Sequence, residues 1–197
     1  MRKDSLAFLL LGFVVGFAGL YYWTKHREPQ IVSATALPLQ LPAPGQSRPP
    51  AGPPPPPVDL AEVQRLQDRI KANPRDYDSL VQLGNIHYDQ RNFSDASGLY
   101  RRALEIRDDL DVRTDLGTML FYQNKYDEAL VELNKVLGRN PTHGQALFNL
   151  GVVLLHGKNN PQGALQAWEK LAATNPSFPQ IAVVKGQIQA LKDSLKK

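Results

Sequence analysis

The sequence predicts an all-α protein built as a helical solenoid. Three observations predict it. Leu83-Gly84, Leu116-Gly117 and Leu150-Gly151 recur at spacings of 33 and 34 residues. A small residue follows each glycine twelve or thirteen positions on (Ala96, Ala129, Ala164), and a bulky one four beyond that (Tyr100, Leu133, Trp168). Asn-Pro pairs at 73–74, 140–141 and 175–176 then punctuate the helical periodicity. Self-similarity at this period marks units that bury their apolar faces only against their neighbours.

Taken in order, the chain opens on Ser5 to Trp23, 19 residues without a charge. As a helix this run spans roughly 28 Å, close to the hydrocarbon thickness of a bilayer. Tyr21, Tyr22 and Trp23 form an interfacial aromatic belt, with Lys25, His26 and Arg27 outside it. A cleaved signal peptide would need small residues just after the apolar run, and Ala34-Thr35-Ala36 lies too far on, so residues 1–27 are read as an uncleaved anchor. Arg2 and Lys3 nearly balance Lys25 and Arg27, leaving orientation close to tied. The short basic tail favours sending the bulk of the chain across the membrane. Gly12 and Gly16 make a GxxxG through which two such helices can approach, a route to a homodimer.

Residues 28–57 contain 11 prolines, including Pro53 to Pro57 in a row. Such a segment favours extended polyproline II and reaches on the order of 90 Å, so it is read as a spacer, with an SH3- or WW-type ligand as the alternative.

Residues 58–197 are the expected helical domain. Val58, Val63, Leu66 and Ile70 share one side of a lead helix, with Asp59 as its cap and Asn73-Pro74 as its stop, which makes an amino-terminal half-unit. Three repeats follow at about 77–110, 110–143 and 144–177. Gly84 and Ala96 open the crossing of the first pair of helices, and Tyr100 is expected to plug the space towards the next unit. The first repeat has Asp108 where the others have proline. In the third, the turn His156 to Pro161 carries one extra residue, with Asn160 as a cap and Pro161 opening the next helix. Ser177 is expected to cap a last helix (178–195) that covers the end with Ile181, Val184, Ile188, Leu191 and Leu195.

Charge narrows the function. The chain is +4, but residues 58–197 hold 18 basic against 17 acidic residues, so the excess lies around the apolar run and spacer. A nucleic-acid binder would concentrate it on a folded face, and none is expected. Residues 58–132 are net −5 (10 basic, 15 acidic) and 133–197 net +6 (8 basic, 2 acidic). There is no cysteine, which removes disulfides and thiolate chemistry. The four histidines show no ligand spacing, and His87 sits at a packing position. Asp108, Asp109, Asp111 and Asp115 resemble a calcium loop but lack its glycine and its closing glutamate, since Leu120 stands twelfth from Asp109. They are read as charging the next helix. No enzyme, cofactor or metal site is expected.

The Leu-Gly, Ala and Pro positions resemble the tetratricopeptide repeat, whose first helices line a concave groove for an extended or helical peptide. That resemblance implies a groove of Val81, Asn85, Tyr88 and Asp89, then Thr114, Thr118, Phe121 and Tyr122, then Phe148, Asn149, Val152, Leu155 and His156. Tyr88, Phe121, Tyr122 and Phe148 would form an apolar strip. Family members that grip a carboxyl-terminal carboxylate use basic residues where Val81 and Asp115 stand here, so that mode is not expected. The anchor, the lead helix Leu66 to Pro74, three repeats and Ala164 to Lys170 resemble the tetratricopeptide subunits of the bacterial cytochrome c haem-lyase assembly. This implies a scaffold in the inner membrane, its repeats in the periplasm, holding a segment of a partner protein. The alternative is a structural organiser acting through transmembrane dimerisation.

Overall fold

The computed structural model describes residues 57–196. The anchor, the GxxxG and nearly all of the spacer lie outside them. Among the described residues no helix is long and apolar enough to cross a membrane.

Among the described residues eight α-helices follow one another with no strand between them: α1 Leu60–Ala72, α2 Tyr77–Asp89, α3 Phe93–Ile106, α4 Leu110–Tyr122, α5 Tyr126–Arg139, α6 Gly144–Val152, α7 Pro161–Thr174 and α8 Ile181–Leu195. Each packs on the next, and α2/α3, α4/α5 and α6/α7 are the tight pairs. The caps are local and chemical. Asp59 accepts from Ala61 N at 2.9 Å, Asp76 from Ser79 N at 3.1 Å, Asp109 from Asp111 N at 3.0 Å and Asn160 from Gly163 N at 2.9 Å. Asn73, Asn140 and Asn175 end α1, α5 and α7, each ahead of a proline that cannot continue the helix.

The glycines are the contact points of the pairs. A Cβ on Gly84 would sit 2.6 Å from Tyr100 Cε1, on Gly117 2.9 Å from Leu133 Cγ, and on Gly151 2.1 Å from Trp168 Nε1. Tyr100 therefore fills the crossing of its own pair of helices, and its hydroxyl donates to Asn85 Oδ1 at 2.7 Å. Trp168 does the same in the third repeat, donating from Nε1 to Phe148 O at 3.0 Å.

The extra residue of the third repeat is not in its turn. The left-handed turn residue falls seven positions after the glycine at Arg91 (φ 61°) and Asn124 (φ 60°), but eight after it at Asn159 (φ 48°). The added residue is taken up in the helix, where Val153–Gly157 winds as a π-turn directly after α6.

The last helix also starts later than expected. Gln180, not Ser177, precedes α8, and it makes no side-chain cap. Pro179 disfavours helical backbone at Phe178, so residues 177–180 form a turn in which Ile181 N donates to Phe178 O at 2.9 Å. Val184 and Leu191 bury the helix on the third repeat, while Leu195 stays 39% exposed.

Where the other repeats have proline, Asp108 accepts from Arg113 (2.6 Å) and from Arg139. Arg113 also pairs with Glu132, which takes Lys135 at 2.8 Å as well. Hydrogen bonds from Arg113 hold the Asp108 carboxyl below the usual carboxylate range. Burial acts to raise that of Glu132, but Lys135 and Arg113 outweigh it and leave it lowered. An ionic tie thus replaces a proline stop at this junction.

Candidate functional site

The first helices of the three pairs, α2, α4 and α6, carry the residues expected to line a groove. Adjacent members are joined by side chains: Asn149 Nδ2 on α6 donates to Thr118 Oγ1 on α4 at 2.8 Å. Gln123 at the end of α4 donates to Phe93 O at 2.9 Å and to Ser97 Oγ at 3.0 Å, tying the second repeat to α3.

The expected groove residues divide by burial. Asn85 and Asp89 are exposed, Tyr88 is 38% exposed, and Val81, Thr118, Tyr122, Phe148, Leu155 and His156 are half-buried. Thr114, Phe121, Asn149 and Val152 are buried, so they form the body of the wall and offer no surface. Thr114 spends its hydroxyl on Leu110 O at 2.8 Å. Phe121 lies 5.7 Å from the Tyr126 ring, and Phe148 is covered by Phe178, also at 5.7 Å. The aromatic strip is therefore shorter than the pattern suggested. It runs Tyr88–Phe93–Tyr122, with ring separations of 6.2 Å and 4.6 Å, the second a near-parallel stack. Phe93 was missed because it opens a second helix; its spacing 33 residues before Tyr126 was the available signal. His87 is half-buried beside Asp95, with Nδ1 at 3.8 Å from the carboxylate, and is not a core residue.

Two carboxylates share this end of the face. Among the described residues Asp89 and Asp115 make no ion pair, and both act on the hydroxyls of Tyr88 and Tyr100, whose pKa values are raised chiefly by burial. Asp115 is exposed as a residue, yet the surrounding wall desolvates its carboxyl, and with Asp111 and Asp109 nearby it is pushed up to about 6. Burial lowers His156. Beside this face Pro57, Val58, Asp59, Glu62, Asn85 and Asp89 help line a pocket of about 350 Å³ between α1 and α2.

Residues 114–180 and 78–107 match models of the family described as tetratricopeptide repeat. This chain is a tetratricopeptide-repeat protein. Over 119 residues it is 29% identical to the formate-dependent nitrite reductase complex subunit NrfG of Escherichia coli O157:H7, covering 58% of this chain. The chain spans about 60% of the length of that relative. Among solved structures it resembles YrrB, described as a tetratricopeptide-repeat protein with an unusual peptide-binding site. There the TM-score is 0.58 at 24% identity, covering 63% of this chain and 64% of that one. Pseudomonas aeruginosa PilF gives a TM-score of 0.58 at 22% identity, over 69% and 63% of the two chains. MamA gives 0.57 at 20% identity, over 68% and 82%. These likenesses establish the fold. A tetratricopeptide-repeat solenoid is a protein-interaction scaffold, and its mid-helix glycines and spaced alanines are this chain's version of the family frame.

Proposed function

We propose that this chain is a membrane-tethered adaptor whose first-helix groove holds a peptide or helical segment of a partner protein, in the maturation of c-type cytochromes. The observation that carries the reading is the partly exposed Tyr88–Phe93–Tyr122 patch on α2, α3 and α4. Exposed aromatic anchors in a preformed trough suit capture of an amphipathic segment. The architecture resembling the haem-lyase subunits, together with the similarity to a nitrite reductase complex subunit, supports the cytochrome setting. The apolar run 5–23 would anchor the chain in a bacterial inner membrane, and the proline-rich spacer would carry the repeats into the periplasm.

The test is photo-crosslinking in native membranes from p-benzoylphenylalanine placed at Tyr88. Val131 on α5, 52% exposed, is the control position. The reading expects Tyr88-specific adducts that include haem-lyase components or an apocytochrome. Identical adducts from both positions would refute the groove. A reporter enzyme fused after Lys197, active only in the cytoplasm, would refute the periplasmic placement.

A further inference from the structure

The charged residues of the three first helices are nearly all of one sign. Helix α2 carries Asp78 and Asp89, α4 carries Asp111 and Asp115 with Arg113, and α6 carries no charged residue at all. Arg113 is already committed to Asp108 and Glu132, with its side chain only 14% exposed, so it offers no positive charge to a visitor. The second helices are mixed in sign: α3 holds Asp95 and Glu105 with Arg101 and Arg102, α5 holds Asp127, Glu128 and Glu132 with Lys135 and Arg139, and α7 holds Glu169 with Lys170. The first helices thus carry acid with almost no base beside it, whereas on the second helices the two signs nearly balance.

Three further observations say what would cover this surface. Asp89 and Asp115 come from different repeats, yet both act on the same two tyrosine hydroxyls, and among the described residues neither forms an ion pair, although His143 acts on Asp115. The aromatic patch Tyr88–Phe93–Tyr122 lies alongside them and needs an apolar side chain to close it. The pocket between α1 and α2 continues the face through Asn85 and Asp89, has Val58 and Ile86 in its wall, and is edged by Asp59, which caps α1, and by Glu62, which pairs with Arg65 at 3.0 Å. That combination of an apolar wall and an acidic rim suits the methylene stem and charged head of a lysine or arginine.

We propose that the amino-terminal half of the groove selects a basic amphipathic segment, seating an apolar side chain on Tyr88 and Tyr122 and drawing its Lys or Arg side chains to Asp89, Asp115 and the α1/α2 pocket. This rests on the peptide-binding reading above and names the chemistry of the partner. The unusual state of Asp115 agrees with it. A carboxyl crowded by Asp109 and Asp111 and shielded from water is costly to ionise alone, and an incoming cation relieves that cost.

The test uses the purified full-length chain and two fluorescein-labelled synthetic helical peptides with identical leucines. One bears lysines at its polar positions and the other bears glutamates. Fluorescence anisotropy should show the lysine peptide binding at least about tenfold more tightly at low salt, with the advantage shrinking as ionic strength rises. Asp89→Asn with Asp115→Asn should cost the lysine peptide roughly tenfold, whereas Glu105→Gln, on α3, should change little. Tyr88→Ser should weaken both peptides. Equal binding of the two peptides, abolished by Tyr88→Ser, would overturn the charge selection and leave the groove reading standing. Equal losses from Glu105→Gln and the groove asparagines would overturn it too, because the attraction would be that of the whole molecule. Binding of neither peptide would overturn the selection and the groove together. Self-association of the chain, reversed by Asp89→Asn with Asp115→Asn, would replace the partner by a second copy and overturn it as well. Circular dichroism of each variant separates loss of binding from loss of fold.

Discussion

Replacing the three mid-helix glycines with alanine tests whether they are there for close packing. Alanine removes the entropic cost of glycine in a helix, a gain of about 1 kcal/mol that is common to all sites. What differs is the neighbour. At Gly151 the new Cβ lies 2.1 Å from Trp168 Nε1 and 2.5 Å from Cδ1, inside a ring that is 1% exposed and cannot swing aside. Overpacking there costs about 1–3 kcal/mol, and displacing the indole from Phe148 O costs about 1 more. The net is a loss of roughly 2 kcal/mol. At Gly84 the Tyr100 ring is met at 2.6 Å and 2.9 Å, for a net loss of about 1 kcal/mol. At Gly117 the contacts are the Leu133 Cγ at 2.9 Å and Cδ2 at 3.0 Å, where a small pivot leaves the sum near zero. Gly98 on α3 has nothing within 4 Å, so Gly98→Ala should stabilise by about 1 kcal/mol. Urea unfolding followed by circular dichroism reads the order Gly98→Ala above wild type, Gly117→Ala beside it, then Gly84→Ala, then Gly151→Ala. In a Trp168→Leu background, which copies the Gly117–Leu133 pair, Gly151→Ala should become almost neutral. If Gly151→Ala moves the midpoint upward as Gly98→Ala does, the packing argument is wrong.

Other outcomes follow from the charges and the face. Asp115 has a folded pKa of about 6 against 3.8, so it binds a proton in the folded state that the unfolded chain has already lost. Its ionisation therefore erodes stability as pH rises from about 4 to 6 and costs the full amount above that. The full shift corresponds to about 3 kcal/mol, which exposure of the residue reduces to roughly 1. Asp115→Asn should thus raise the melting temperature by about 2–4 °C at pH 7.5 and leave it unchanged below pH 4, and equal gains at both would refute the assignment. Asp108 and Glu132 have lowered values, so they stabilise above the unfolded carboxylate range and lose that contribution as pH falls through their folded values. Glu132→Gln should cost about 2 kcal/mol at pH 7, with a coupling to Arg113→Met of 1–2 kcal/mol, roughly, in a double-mutant cycle. No coupling would mean that the pair is idle. Phe121→Ser should destabilise by about 3 kcal/mol, being 7% exposed, whereas Tyr88→Ser should cost less than 1 kcal/mol, roughly. Similar losses would contradict the burial that separates them.

Much of the frame was legible because each repeat states its own packing rule. Leu-Gly, a spaced alanine and a bulky residue four positions later admit only one close crossing, and Asn-Pro admits only one stop. The groove was less legible, and the pair Tyr88 and Phe121 shows why. They occupy the same register 33 residues apart, and each meets the aromatic that opens the next helix, Phe93 or Tyr126. Tyr88 is 38% exposed and Phe121 7%. Helix α4 sits in the middle repeat and has neighbours on both sides, so seven of its residues are buried and its apolar residues do not form one stripe. Periodicity reports a residue's register in its own helix. It does not report which flank a later repeat will cover. The π-turn was hidden for a related reason: an extra residue is visible as a count, but whether helix or turn absorbs it depends on the packing of the ring beside it. Here a Cβ on Gly157 would lie 2.6 Å from Tyr126 Cδ1, so that glycine lets the wider turn close onto the second repeat.

That π-turn also bears on how the two halves of the face differ. In the first two repeats the helix ends in regular turns, and the residues next to the turn are Tyr88-Asp89 and Phe121-Tyr122. In the third the same register holds Leu155-His156, inside the π-turn, with no carboxylate on its first helix. Wider winding moves those two side chains around the helix relative to their counterparts, so the third repeat cannot repeat the aromatic and acidic contacts of the first two. The face therefore has a built-in polarity: an acidic, aromatic end at α2 and α4, and an apolar end at α6 and the π-turn, where burial keeps His156 neutral more readily than a free histidine. A segment lying across all three helices would meet the ends in a fixed order. Deleting one residue from the π-turn, for example Leu155, should restore a regular helix and shift the preferred register of a bound peptide. Crosslinks from the Tyr88 position should be unchanged while those from His156 move along the ligand. If both sets stay where they were, the π-turn plays no part in setting direction.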